Sequence, residues 1–110
     1  MGARAYASIV ALLAATGAAR ADCTPAPRAD LTNCELAGVK LESADLRGAK
    51  LDGADLREAN LKWANLTGAS LKRANLAGAD LFHTILDRAD LEGADLRNAY
   101  LFGANLIGTS

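Results

Sequence analysis

The sequence predicts an all-β solenoid, in which short extended segments stack coil upon coil, and three observations carry that prediction. Every fifth residue from Leu31 to Leu106 is leucine, sixteen in succession. Two residues before each leucine, and again at position 109, lies a second fixed slot, alanine in 13 of 17 cases with Cys34, Val39, Thr84 and Thr109 as the exceptions. All eight glycines beyond the first 21 residues fall in one slot, two places after a leucine. The unit is Ala-polar-Leu-x-x, and the polar residue is Asp or Asn in 10 of 16 cases.

A helix cannot use this pattern. At 3.6 residues per turn a five-residue step rotates by about 140°, so the leucines would scatter around the circumference and leave no buried stripe. Ala-polar-Leu instead alternates in-out-in, the two-residue period of a strand, and the next two positions must turn the chain. The glycines sit in the last of them, where a turn most needs a residue without Cβ. Three extended residues cannot bury a face alone, so the units must stack on one another.

This motif resembles that of the pentapeptide-repeat family, over about three quarters of the chain. The resemblance implies a right-handed quadrilateral β-helix with one pentapeptide per side and twenty residues per coil, hence about four coils. At the usual strand spacing such a tower stands about 19 Å tall. The repeat domain is placed at 29–110, behind a proline-containing cap at 22–28. Pro25 and Pro27 cannot donate ladder hydrogen bonds and suit the exposed first edge. Almost nothing follows the last unit, so the final coil is expected to be either frayed or covered by a second copy in a homodimer.

Residues 1–21 read as a signal peptide. Arg4 precedes an uncharged stretch from Ala5 to Ala19, too short to span a bilayer comfortably, and Ala19-Arg20-Ala21 fits the small-x-small rule for cleavage after Ala21. The alternative is an uncleaved anchor. The expected location is exported, periplasmic or secreted. In that oxidising setting Cys23 and Cys34 are expected to form a disulfide tying the cap to the first coil, the competing reading being Cys34 as a small core residue.

The chain has net charge −1, and loss of Arg4 and Arg20 with the leader leaves 10 basic and 13 acidic residues, or −3. That balance fits neither a basic nucleic-acid surface nor a strongly acidic mimic of one. No membrane contact is expected after the leader, because no amphipathic helix or second apolar segment follows it. Catalysis is not expected. The chain has one histidine, no Gly-rich phosphate loop and no metal motif, and His83 lies two coils from the cysteines. No cofactor is implied.

Residues twenty apart should stand one above another. Asp52, Lys72 and Glu92 then alternate in sign, Glu42 lies below Lys62 and Asp30 below Lys50. Glu35 and Asp55, with Asp95 above, read as solvated carboxylates beside Arg57 and Arg97 rather than a cation site. The four aromatics after the leader, Trp63, Phe82, Tyr100 and Phe102, all fall on one side. His83 joins them above Trp63, Phe102 stands above Phe82, and Ile85 lies outside near His83. This side is either a candidate binding patch or a device that staples neighbouring coils. The function expected is a non-catalytic interaction or scaffold module of the cell envelope with an unidentified protein partner. The alternative the resemblance supplies is a DNA-mimicking modulator of DNA gyrase or topoisomerase. Against it, about 19 Å of tower matches only about 5 or 6 base pairs of duplex, and −3 is small beside two phosphates per pair.

Overall fold

The computed structural model describes residues 23–110, so the leader and its cleavage site lie outside the described residues. From Asp30 onward each fifth residue forms a parallel bridge to the residue twenty further on, from Asp30↔Lys50 to Ile85↔Asn105. Four bridged positions per twenty residues make a four-sided coil, and the described chain makes four of them, at 31–50, 51–70, 71–90 and 91–110.

The sequence pattern predicts three-residue strands; the structure has a single bridged residue on each side. The rest of the unit is spent on the corner. The N–H of each small residue donates to the carbonyl of the leucine three places back, as Ala64 does to Leu61 at 3.0 Å. The third residue of that turn has positive φ, the geometry of a type II turn.

One unit shows how completely the backbone is satisfied. The N–H of Asn60 donates down to Val39 at 2.9 Å; those of Leu61 and Trp63 donate up to Asp80 and Phe82, each at 2.9 Å; that of Ala64 closes the turn. The remaining N–H, of Lys62, donates to the side-chain Oδ1 of Asn60 at 3.1 Å. Here is the physical reason for Asp and Asn in the polar slot. Only a short side chain bearing an acceptor reaches the N–H two residues on, the Asx-turn bond, and it serves the one donor the ladder leaves over. All ten Asp and Asn residues of that slot make this bond. Where Ser70 occupies the slot, Asp52 of the coil below accepts the N–H of Lys72 at 3.1 Å instead.

The turn does not demand glycine. Positive φ recurs at every fifth position from Arg28 to Gly108, and nine of those residues are not glycine, Trp63 (62°) and His83 (54°) among them. Each costs about 1 kcal/mol of backbone strain. Glycine avoids that strain, and at six of the eight positions, Gly38 and Gly68 excepted, the side chain of the coil beneath also leans into the space a Cβ would need. A Cβ on Gly53 would collide with Asn33 Oδ1, and one on Gly103 would stand 2.7 Å from His83 Nε2.

Inside, the leucines from Leu31 to Leu86 are at most 1% exposed and fill the coil with the alanines between them. Below, the Cys23–Cys34 disulfide is formed and both cysteines are buried. The disulfide ties Cys23 to the first coil, and the N–H of Arg28 donates to Arg47 at 2.8 Å. Above, Leu101 and Leu106 are 38% and 45% exposed.

Candidate functional site

The third side of the tower carries 40–43, 60–63, 80–83 and 100–103, and stacking brings its outward side chains into register. The Trp63 indole lies flat against the His83 imidazole, centroids 4.4 Å apart and planes 8° from parallel. Phe82 meets that pair edge-on, 4.4 Å from His83 and 5.7 Å from Trp63. Above, Phe82 stacks with Phe102 at 5.7 Å and Tyr100 at 6.2 Å, while Phe102 also meets His83 at 6.1 Å. The five residues singled out in the sequence thus form one connected cluster. Gly103 makes room for it, since His83 fills the space a side chain there would need.

The cluster is held from within but open outward. Phe82 and His83 are half-buried, whereas Trp63, Tyr100 and Phe102 are 56%, 54% and 63% exposed. Mutual stacking therefore uses only part of the ring surface. Next to the cluster, Ile85 occupies an outward bridge position between Asn65 and Asn105. Its neighbour Thr84 points inward, fully buried, and its hydroxyl donates to the Leu61 carbonyl at 2.6 Å. Thr109 repeats this bond to Leu86 at 2.8 Å. The sequence reading missed that role, although threonine in an alanine slot at both places was the signal.

Two lysines pair differently from the predicted columns. Lys62 and Lys72 reach diagonally to Asp80 and Asp90, each at 3.7 Å. The closest ion pairs lie within single units, Asp45–Arg47 (2.7 Å), Asp55–Arg57 (2.6 Å) and Asp95–Arg97 (2.7 Å). Their signal was the recurrent Asp-Leu-Arg, whose first and third residues share the outward face across a corner. Hydrogen bonds from the guanidinium hold the Asp45 and Asp55 carboxyls below the usual range, and Arg97 brings Asp95 to about 2. Asp55 and Asp95 are therefore engaged by arginine, and no group of three or more His, Cys, Asp or Glu suited to a metal ion occurs among the described residues.

A side of stacked pentapeptides with such a cluster defines a class, and the comparisons supply the family. Residues 28–62, 59–98 and 74–110 match the family model described as pentapeptide repeats, in 8 copies, so this chain belongs to the pentapeptide-repeat family. That family folds as right-handed quadrilateral β-helices and is generally non-catalytic. A solved pentapeptide repeat protein from the Arabidopsis thaliana thylakoid lumen is similar at 30% identity and a TM-score of 0.62, covering 78% of this chain and 63% of its own. Another, from the cyanobacterium Cyanothece 51142, is similar at 36% identity and a TM-score of 0.50, covering 86% of this chain and 65% of its own. This chain thus spans less than two thirds of either. No curated protein matches it.

Proposed function

We propose that this protein is a non-catalytic, exported interaction module of the cell envelope that holds a protein partner on its aromatic side. One observation carries the reading: a connected cluster of five rings whose outermost members, Trp63, Tyr100 and Phe102, are more than half exposed. Rings that only stapled coils together would gain by facing one another fully, whereas these leave apolar area to water at the positions that dominate binding hot spots. Export is supported by the Cys23–Cys34 disulfide and by the likeness to a thylakoid-lumen protein, a compartment reached by translocation.

The test is capture from periplasmic and cytoplasmic fractions of the host by the wild-type chain beside a Trp63→Ala/Phe102→Ala variant. A protein retained by the first and lost by the second is the expected result, with Trp63, the chain's one tryptophan, reporting the contact by fluorescence. Equal capture by both overturns the aromatic side as the surface, and capture of gyrase on the charged sides would replace the proposal with DNA mimicry.

A further inference from the structure

Four columns of corner residues run up the tower, and three of them set long side chains beneath glycine. Asn33, Gly53, Arg73 and Gly93 alternate in one, Gly38, Glu58, Gly78 and Asn98 in the next, and Arg28 and Arg88 lie under Gly48 and Gly108 in another. Each long residue leans up over the glycine, as Arg73 Cγ does 3.1 Å from where a Cβ on Gly93 would stand. The remaining column runs Ser43, Trp63, His83, Gly103, so two rings meet and a small residue bounds them on either side. The His83 imidazole takes the upper face of the indole, 4.4 Å away and 8° from parallel, and itself fills the space beside Gly103. One ring covers only one face of another. On the lower side the column offers nothing larger than Ser43, whose N–H donates to the Lys62 carbonyl at 2.9 Å. Trp63 is 56% exposed as a result, although a complete coil lies below it and two lie above.

Charges around that free face are unevenly used. The column beside Ser43 and Trp63 holds Glu42 and, one coil up, Lys62. Lys62 turns upward to Asp80 at 3.7 Å and leaves the carboxylate beneath it. Among the described residues the Glu42 side chain makes no ion pair or hydrogen bond, Lys40 of the same unit pairs with no acid, and no lysine or arginine makes a ring contact. Around the corner, Asp45 is already held by Arg47. A bare aromatic face beside an unpaired carboxylate has the two parts that recognise an organic cation.

We propose that the slot under Trp63 takes an arginine side chain of the protein partner, stacked flat on the indole with its N–H groups on the Glu42 carboxylate. This rests on the reading of the aromatic side as a protein-binding surface and names the residue that surface takes. Arginine fits better than lysine for a geometric reason. The guanidinium is planar, weakly hydrated and donates within its own plane, so it can lie against a ring and reach a carboxylate beside the ring at once. An ammonium has no flat face and gives up more hydration. The 10 basic and 13 acidic residues that remain without the leader also favour approach of a basic segment.

Trp63 is the sole tryptophan, so its indole N–H resonance reports the slot directly. The test is an NMR titration of the chain with acetyl-Gly-Arg-Gly-amide up to about 100 mM, the range that a lone cation–π and ion contact requires, beside the same peptide carrying lysine or citrulline. The expected result is a saturable shift with arginine, binding about threefold weaker with lysine, and about tenfold weaker with citrulline, which keeps the plane and loses the charge. Glu42 and Lys40 are exposed, so their substitution leaves the core intact. Glu42→Gln should weaken arginine binding by about threefold, Lys40→Gln should tighten it by removing a competing cation, and Phe102→Ala, two coils above, should leave it unchanged. No saturable shift, equal response to the three peptides, or arginine binding indifferent to Glu42→Gln would each overturn the inference. Partner capture lost in Trp63→Ala/Phe102→Ala without any arginine response would sink the slot and keep the aromatic side as a binding surface. An arginine response with equal capture by wild type and that variant would strike the protein-binding reading and keep the cation slot.

Discussion

Leu46 and Leu106 occupy the same place in the same repeat three coils apart, yet one is fully buried and the other 45% exposed. Neither the residue nor its unit differs; what differs is the neighbour. A coil lies above Leu46, and the Cys23–Cys34 disulfide joins the core of its own coil, while nothing among the described residues lies over Leu106. In a solenoid each unit contacts only its neighbours, so stability is a sum of interface terms. The end coils should then be the first to open.

The largest effect that sharpens this comparison is expected in the middle. Leu66→Ala removes a side chain enclosed by coils on both faces and should cost about 2–5 kcal/mol. Leu106→Ala, at a site 45% exposed, should cost about 1 kcal/mol or less, since much of its area is already in water. Equal losses in denaturant melts would break the nearest-neighbour picture. Next comes the lower end. Opening the disulfide with Cys34→Ala frees a loop of sequence separation 11, worth about 3 kcal/mol in the chain-entropy model. Hydrogen exchange should then show the amides of Leu31 and Leu36 losing protection before those of Leu66 and Leu71, and a uniform loss would show that the cap does not act on its own coil.

Much of this was legible in the sequence because the repeat is regular. The period of five fixed the coil, its Leu and Ala slots named the core, and the twenty-residue register placed Trp63, Phe82, His83, Tyr100 and Phe102 on one side. Three features were not legible, each for a physical reason. The Asx bond, as from the Lys62 N–H to Asn60, depends on which donor the ladder leaves over, so Asn60 reads only as polar until the backbone is in place. The eight glycines do sit at the positive-φ corner of the turn, but Gly53 and Gly103 also answer to Asn33 and His83 beneath them, a constraint between residues twenty apart that the repeat unit does not display. The columns of charge followed register alone. Lysine stems instead reach diagonally, as Lys62 does to Asp80, and each Asp-Leu-Arg corner lets arginine fold back on its own aspartate.

Thr84 gives a smaller and more local contrast. Its buried hydroxyl donates to Leu61 between two complete coils, while Thr109 makes the same bond at the open end, half-buried. Thr84→Val keeps the shape and removes the donor, leaving the Leu61 carbonyl with the Ala64 N–H alone. A loss of about 1 kcal/mol is expected, against a few tenths for Thr109→Val, where water replaces the hydroxyl. Comparable losses in paired thermal melts would mean that the open end is as dry as the interior.

The smallest effect is expected from pH, and its sign follows from the arginine corners. In the folded chain the Asp95 carboxyl, held by the Arg97 guanidinium and then by the Arg97 N–H, titrates near 2 rather than at the ordinary 3.8. Asp45 and Asp55 shift the same way through Arg47 and Arg57. A depressed folded value means that the unfolded chain binds more protons in this range, so the contribution is fully present above about pH 5 and disappears as pH falls through 3.8 towards 2. All three pairs lie at the surface, where solvent and salt screen them, so the melting temperature should slope only gently across that window and less steeply in high salt. Carboxyl titration by NMR isolates the cause. Arg97→Gln should return Asp95 towards 3.8 without moving Asp45, since each corner is closed within its own unit. Movement of all three together would mean that charges are coupled along the tower, and the picture of independent units stacked only on their neighbours would fail for electrostatics.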